Sequence, residues 1–149
     1  MWRNVVLAAF GATGFAFIFG IKRTKIEIIL FASGMAWYCY EMLCKMLKKD
    51  DIAMYIVIIF VVILAKGFTM FRQESMVWVT TPILIPFIPG ATLYYAIRDV
   101  LSHSTDTIGY MYRLVEQLGA MVLGIITAEV IVIVLEKIRK VAARKTISQ

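Results

Sequence analysis

The chain has 149 residues, of which 61% are hydrophobic and 17% charged, with a net charge of +6 and a mean hydropathy of +0.81. Soluble domains carry roughly 45–50% apolar and about 25% charged residues, so a water-soluble globule is excluded. A disulfide scaffold is excluded as well. The only cysteines, Cys39 and Cys44, share one apolar run, where five helical steps set them about 7.5 Å apart along the axis, too far for a bridge. The basic residues sit at the ends of apolar runs rather than among aromatics on a polar face. That placement points to lipid headgroups and away from nucleic acid.

A hydrocarbon core about 30 Å thick takes roughly 20 mostly apolar residues per helix, and five runs qualify. Residues 4–21 carry no charge and stop at Lys22, Arg23 and Lys25. Residues 26–44 hold Glu27 and Glu41 near their ends and stop at Lys45, Lys48 and Lys49. The run 52–71 is rich in β-branched residues between Ile56 and Ile63, but its length predicts a helix rather than a strand. The fourth, 75–97, contains all three prolines, Pro82, Pro86 and Pro89. The fifth, 114–135, precedes a basic tail of Lys137, Arg139, Lys140, Arg144 and Lys145. The expected fold is therefore all-α, a polytopic membrane bundle of about five helices in one domain, residues 1–149, with its fourth helix broken.

The first run is too long, and too poor in small residues before a cleavage point, to be a removed signal peptide. Five spans put the termini on opposite faces. Arg3, Lys45, Lys48, Lys49, Arg98 and Arg113 fall on one face, and Lys22, Arg23, Lys25, Lys66, Arg72 and the tail on the other. The richer face is expected in the cytoplasm, together with the C-terminus. Because lipid gives helices little hydrophobic reason to associate, small residues four apart mark close contacts. Ala8, Ala12, Ala16 and Gly20 form one such face, Ala120, Gly124 and Ala128 another, and Ala32 with Ala36 a shorter one. They serve packing within the bundle or a surface for a second subunit, including a second copy of the chain.

The most informative stretch runs from Thr80 to Thr92. Its prolines lack amide donors and clash with the preceding turn, and Gly90 permits backbone angles that other residues resist. A helix broken at membrane depth survives only against protein or a watery cavity. A half-helix starting near Gly90 turns free amides and a positive dipole end toward an anion such as a carboxylate, with hydroxyls at Thr92, and at Thr80 or Thr81, as further donors. The alternative is a proline kink or tight hairpin with no ligand.

Among charged residues, Glu129 lies deepest, about 9 Å inside the end of the fifth run. Proton coupling is one role for it, and snorkelling or pairing with a basic residue is the other. Glu41 and Lys66 read as interfacial, Arg113 and Glu116 as a local ion pair, and His103 as an exposed loop residue. Trp37, Tyr38, Tyr40, Tyr110 and Tyr112 read as aromatic belts at the lipid boundary. There is no zinc-ligand cluster, nucleophile elbow, phosphate-binding loop or metalloprotease motif in the sequence, so neither catalytic residues nor a metal or cofactor is expected.

Three stretches carry a resemblance to a known family: Gly14-Phe15-Ala16-Phe17-Ile18-Phe19-Gly20, Ser33-Gly34-Met35-Ala36-Trp37, and above all Ile85-Pro86-Phe87-Ile88-Pro89-Gly90 followed by Tyr94. They resemble the small subunit of the threonine/serine exporter family, a membrane protein of about five spans similar to the C-terminal half of longer single-chain exporters. The resemblance implies secondary export, from the bacterial cytoplasm across the inner membrane, of small carboxylate-bearing metabolites: threonine and serine, or dicarboxylates such as succinate. It also implies a larger membrane subunit as partner. With the residue chemistry it makes Pro86, Pro89, Gly90, Thr92 and Tyr94 the candidate substrate-binding residues. Where relatives have an asparagine and a proline after the first span, this chain has Gly20 and the pair Lys22-Arg23. A non-transporting scaffold or gating subunit is the alternative function.

Overall fold

Each apolar run folds as helix. The computed structural model describes residues 2–72, 76–102 and 107–147. In order they form α1 (Trp2–Ile18), α2 (Arg23–Leu47), α3 (Asp50–Arg72), α4 (Met76–Leu84), a 3₁₀ turn (Ile85–Phe87), α5 (Gly90–Leu101) and α6 (Thr107–Ile147). The fourth expected span is the one that divides, into α4, the turn and α5. Its first residue, Ser75, and the loop with His103 lie outside the described residues, as do the side chains of Arg72, Lys140, Arg144 and Lys145. Lys25–Leu47 and Thr107–Arg139 are each long and apolar enough to cross a membrane, and Trp78–Phe87 with Gly90–Leu101 makes a third span bent by 46°. Among the described residues the count by this measure is two or three, against the five expected, and α1 falls short of it with 17 residues.

The connections between helices follow from local chemistry. Gly20 takes φ +68°, its amide donates to the carbonyl of Phe17, and the Ile21 amide reaches back to Ala16. This left-handed C-terminal cap satisfies carbonyls that α1 would otherwise leave bare, and it folds Ile21 onto Ala16. Gly20 therefore has a backbone task, ending the first helix, which an asparagine also performs because it tolerates the same conformation. At the end of α2, Lys48 adopts φ 53°, its amide donating to Cys44. Asp50 and Asp51 then open α3, where negative side chains complement the helix dipole.

Side-chain pairs fix the directions of the helices. Asn4 meets Glu41 and Trp2 stacks on Tyr38, so α1 and α2 are antiparallel. Asp50 faces Arg113, Tyr55 faces Thr127 and Lys66 faces Glu136, so α3 and α6 run parallel. The chain between them returns through the broken segment. Its first half, α4, packs on α1, α2 and α3, while α5 packs on α6.

Most of the small-residue faces are buried inside the chain, with Ala32 and Ala120 half-buried and Gly20 exposed. Ala12, Ala16 and Ala128 are fully buried, and Gly34 brings the backbone of α2 close to Ala9 and Val5 of α1. The core they adjoin includes Ile29, Val57, Ile58, Val62 and Phe87.

Candidate functional site

The broken segment is built by its prolines. Pro82 is tolerated inside α4, and Pro86 falls at the start of the 3₁₀ turn, where its missing amide costs nothing. The turn closes with the Ile88 amide on the Ile85 carbonyl at 3.1 Å, after which Ile88 is extended. Pro89, at φ −75° and ψ 57°, centres a three-residue turn in which the Gly90 amide donates to Ile88 at 2.7 Å. These are the angles of an inverse γ-turn. Leu93 makes the first regular bond of α5, to Pro89 at 3.0 Å. The amides of Ala91 and Thr92 have no acceptor among the described residues.

Gly90 plays a different part from the one expected. Its backbone is not left-handed, so any residue fits the conformation, and the break belongs to the prolines. What the missing side chain leaves is room, because a Cβ there would meet nothing within 4 Å. Thr92 also differs as a donor, since its hydroxyl donates to Gln117 Oε1 on α6 at 2.8 Å. Pro89 is buried, Pro86 and Thr92 are half-buried, and Gly90 is exposed. Tyr94 is 64% exposed and packs its ring edge-on to Tyr95. The five candidates thus occupy one stretch of chain, although Tyr94 points to the outside of it.

The anchor of the break is Phe87, which is 1% exposed. Its ring lies 5.3 Å from Trp37 and 5.8 Å from Tyr40. These two aromatics were expected in a lipid-facing belt, and both instead clamp the turn from inside the bundle. Their position on α2 is closer to Leu47 than to Arg23, which sets the break off centre, toward the face where α2 turns into α3. On that face a cleft of about 380 Å³ opens between α1, α2 and the turn, lined by Asn4, Leu7, Gly11, Phe15, Trp37 and Pro86 among others. Asn4 Nδ2 and Trp37 Nε1 both donate to Glu41 Oε1, at 2.9 and 3.3 Å.

Other charges find partners that sequence reading did not assign. Arg113 reaches Asp50 on α3 at 3.9 Å. Lys66 pairs with Glu136 at 3.1 Å. Asp99 was missed altogether, yet its side chain is 4% exposed and takes two bonds from Arg98, at 2.7 and 2.9 Å. The Arg98 guanidinium also covers the Tyr95 ring at 4.9 Å. Asp99 follows an arginine at the end of an apolar run and so reads as interface; its spacing from Ala96, also buried on α5, was the available signal. Glu129 is half-buried, and no hydrogen bond or ion pair joins it to another described residue. It stands beside the seam where Gly124 and Ala128 meet α3, apart from the broken segment.

Compared with known families, residues 4–131 match the family model described as threonine/serine exporter, ThrE. No curated protein and no solved structure matches the chain.

Proposed function

The chain belongs to the threonine/serine exporter family, and from that premise we propose that it is a transport subunit whose broken span contacts the carboxylate of its substrate. The observation that carries the reading is the start of α5. Two first-turn amides, of Ala91 and Thr92, have no acceptor among the described residues, beside a glycine with open space around it. A helix start of this kind favours an anion electrostatically and by direct donation, and discontinuous helices in transporters use it for carboxylates.

Threonine and serine are the substrates that the family supports, and dicarboxylates such as succinate share the recognised group. The likeness to the small subunit of split exporters supports a larger membrane subunit as the working partner in a bacterial inner membrane, and the excess of basic residues on one face supports a cytoplasmic C-terminus. Glu129, a half-buried carboxylate in an apolar helix, is the group we assign to proton coupling, since an intramembrane acid with no counter-charge among the described residues is costly unless it has a task.

Gly90→Leu tests the site. A Cβ at Gly90 meets nothing within 4 Å, so the variant should insert normally and lose export of labelled threonine when co-expressed with the larger subunit. Export at the wild-type rate would reject the assignment. Glu129→Gln should flatten the pH dependence of export, and an unaltered profile would remove Glu129 from the mechanism.

A further inference from the structure

A separate cleft, of about 240 Å³, opens between α3 and α6 far from the broken segment. With Asp50 at one lipid boundary, Lys66 lies about 24 Å along α3 and therefore near the other, about 30 Å away. Ile28, near the start of α2, shares a cavity with Leu64 and Ala65, so this end of α3 is on the face that carries Lys22 and Arg23. The lining of the cleft changes character along the two parallel helices. Ile63 and Val132, on the side of the bundle interior, are apolar, whereas Lys66, Glu136 and Arg139 stand at the outer end. Gly67 widens the opening between them, since a Cβ there would meet nothing within 4 Å. Lys66 and Glu136 bond to each other at 3.1 Å, so their charges offset. Arg139 is exposed and has neither ion pair nor hydrogen bond to another described residue. Its guanidinium leaves the outer end of the cleft positive.

We propose that this cleft holds the headgroup of an anionic phospholipid, with Arg139 on the phosphodiester and the first part of an acyl chain against Ile63 and Val132. A guanidinium meets a phosphate through two parallel hydrogen bonds, and basic pockets between spanning helices are where anionic headgroups settle. The cleft is smaller than the roughly 300–1,000 Å³ of pockets that enclose a whole small molecule. That size suits a headgroup whose chains stay in the bilayer. A soluble phosphate would satisfy Arg139 and leave the apolar wall bare; a lipid matches both ends of the gradient. The site is independent of the α5 start and of any substrate bound there.

The test is lipid binding to the purified full chain, read lipid by lipid in native mass spectrometry from mild detergent. The probes are phosphatidylglycerol and phosphatidylcholine with the same acyl chains. Wild-type protein should bind its first phosphatidylglycerol at least about tenfold more tightly than phosphatidylcholine, the worth of one hydrogen bond to a charged group. Arg139→Gln should erase that preference, and Arg139→Lys, which keeps the charge without the planar fork, should restore part of it. Gly67→Leu narrows the cleft and leaves every charge in place, and it should erase the preference too. Lys22→Gln combined with Arg23→Gln removes basic residues from the same face but outside the cleft, and should leave the first lipid bound as before. Glycerol 3-phosphate in excess, the phosphate without chains, should not displace it. Thermal unfolding confirms that each variant is folded; if Gly67→Leu is not, Arg139→Gln, at an exposed side chain, decides alone. Equal binding of the two lipids by the wild type, or an undiminished preference in folded Arg139→Gln or Gly67→Leu, overturns the proposal. So does an equal loss in the Lys22 and Arg23 variant, which would mean diffuse attraction to the basic face, or displacement by glycerol 3-phosphate, which would mean an anion site with no call for lipid.

Discussion

At Gly124 an added methyl group would meet Ile58 Cγ2 at 3.0 Å and the carbonyl oxygen of Tyr55 at 3.1 Å, while at Gly90 it would meet nothing within 4 Å. Both glycines lie on apolar helices, but they mark opposite kinds of region. Around Gly124 the backbones of α3 and α6 press together, sealed by Ala128 and by the Tyr55–Thr127 hydrogen bond. Around Gly90 the chain is held through Phe87 before it and through Thr92 on Gln117 after it, and the space beside the glycine itself is open. A membrane bundle cannot rely on water to drive its helices together, so the seam must be tight to hold; a transport path must not be. The contrast separates residues kept small for packing from a residue kept small for access.

Substitutions can break or sharpen that contrast. The largest effect on stability is expected for Phe87→Ala, which empties the clamp between Trp37 and Tyr40. Such a truncation costs about 3–5 kcal/mol in a water-soluble core, and here we expect the lower end of that range because lipid is nearly as apolar as the pocket. Thermal unfolding in detergent, followed by tryptophan fluorescence, should register it, and a midpoint within a degree of wild type would show that the turn needs no anchor. Next comes Gly124→Ala. Its methyl group falls on a rigid carbonyl, so the seam must open at a cost of about 1–3 kcal/mol. Thr92→Val removes the hydrogen bond to Gln117 and should lower stability by about 0.6 kcal/mol, the mean for such bonds between membrane helices. The smallest effect is expected at Gly90→Ala, which should leave the unfolding midpoint unmoved. Matching losses at Gly90→Ala and Gly124→Ala would erase the distinction between the two regions.

The helices, and the break in the fourth of them, were legible from hydrophobic run length and proline spacing, because three prolines within eight residues cannot all be absorbed by one regular helix. The division of labour inside the break was less visible. Gly90 looked like the source of irregular geometry, but that geometry resides in Pro89, and the glycine is conformationally ordinary. Trp37 and Tyr40 were misread because an aromatic residue near a span end looks the same whether it faces lipid or a neighbouring turn. Only the arrival of Phe87 from fifty residues downstream decides it. Gln117 drew no notice as one amide in an apolar run, and its role depends on α5 folding back beside α6. In each case the missing information was a contact between segments distant in sequence, to which local periodicity is blind.

The left-handed cap at Gly20 has a further consequence for the lipid. It stops α1 after 17 residues, about 26 Å of helix, against a hydrocarbon layer of about 30 Å. Its antiparallel neighbour α2 has 25 residues. The shorter helix leaves no surplus to take up by leaning, so the acyl chains beside it must compress, with Lys22 and Arg23 drawn toward the headgroups. Hydrophobic mismatch of this kind sorts proteins among bilayers, and the chain should be most at home in membranes of shorter lipids, where its first helix fits without deforming them.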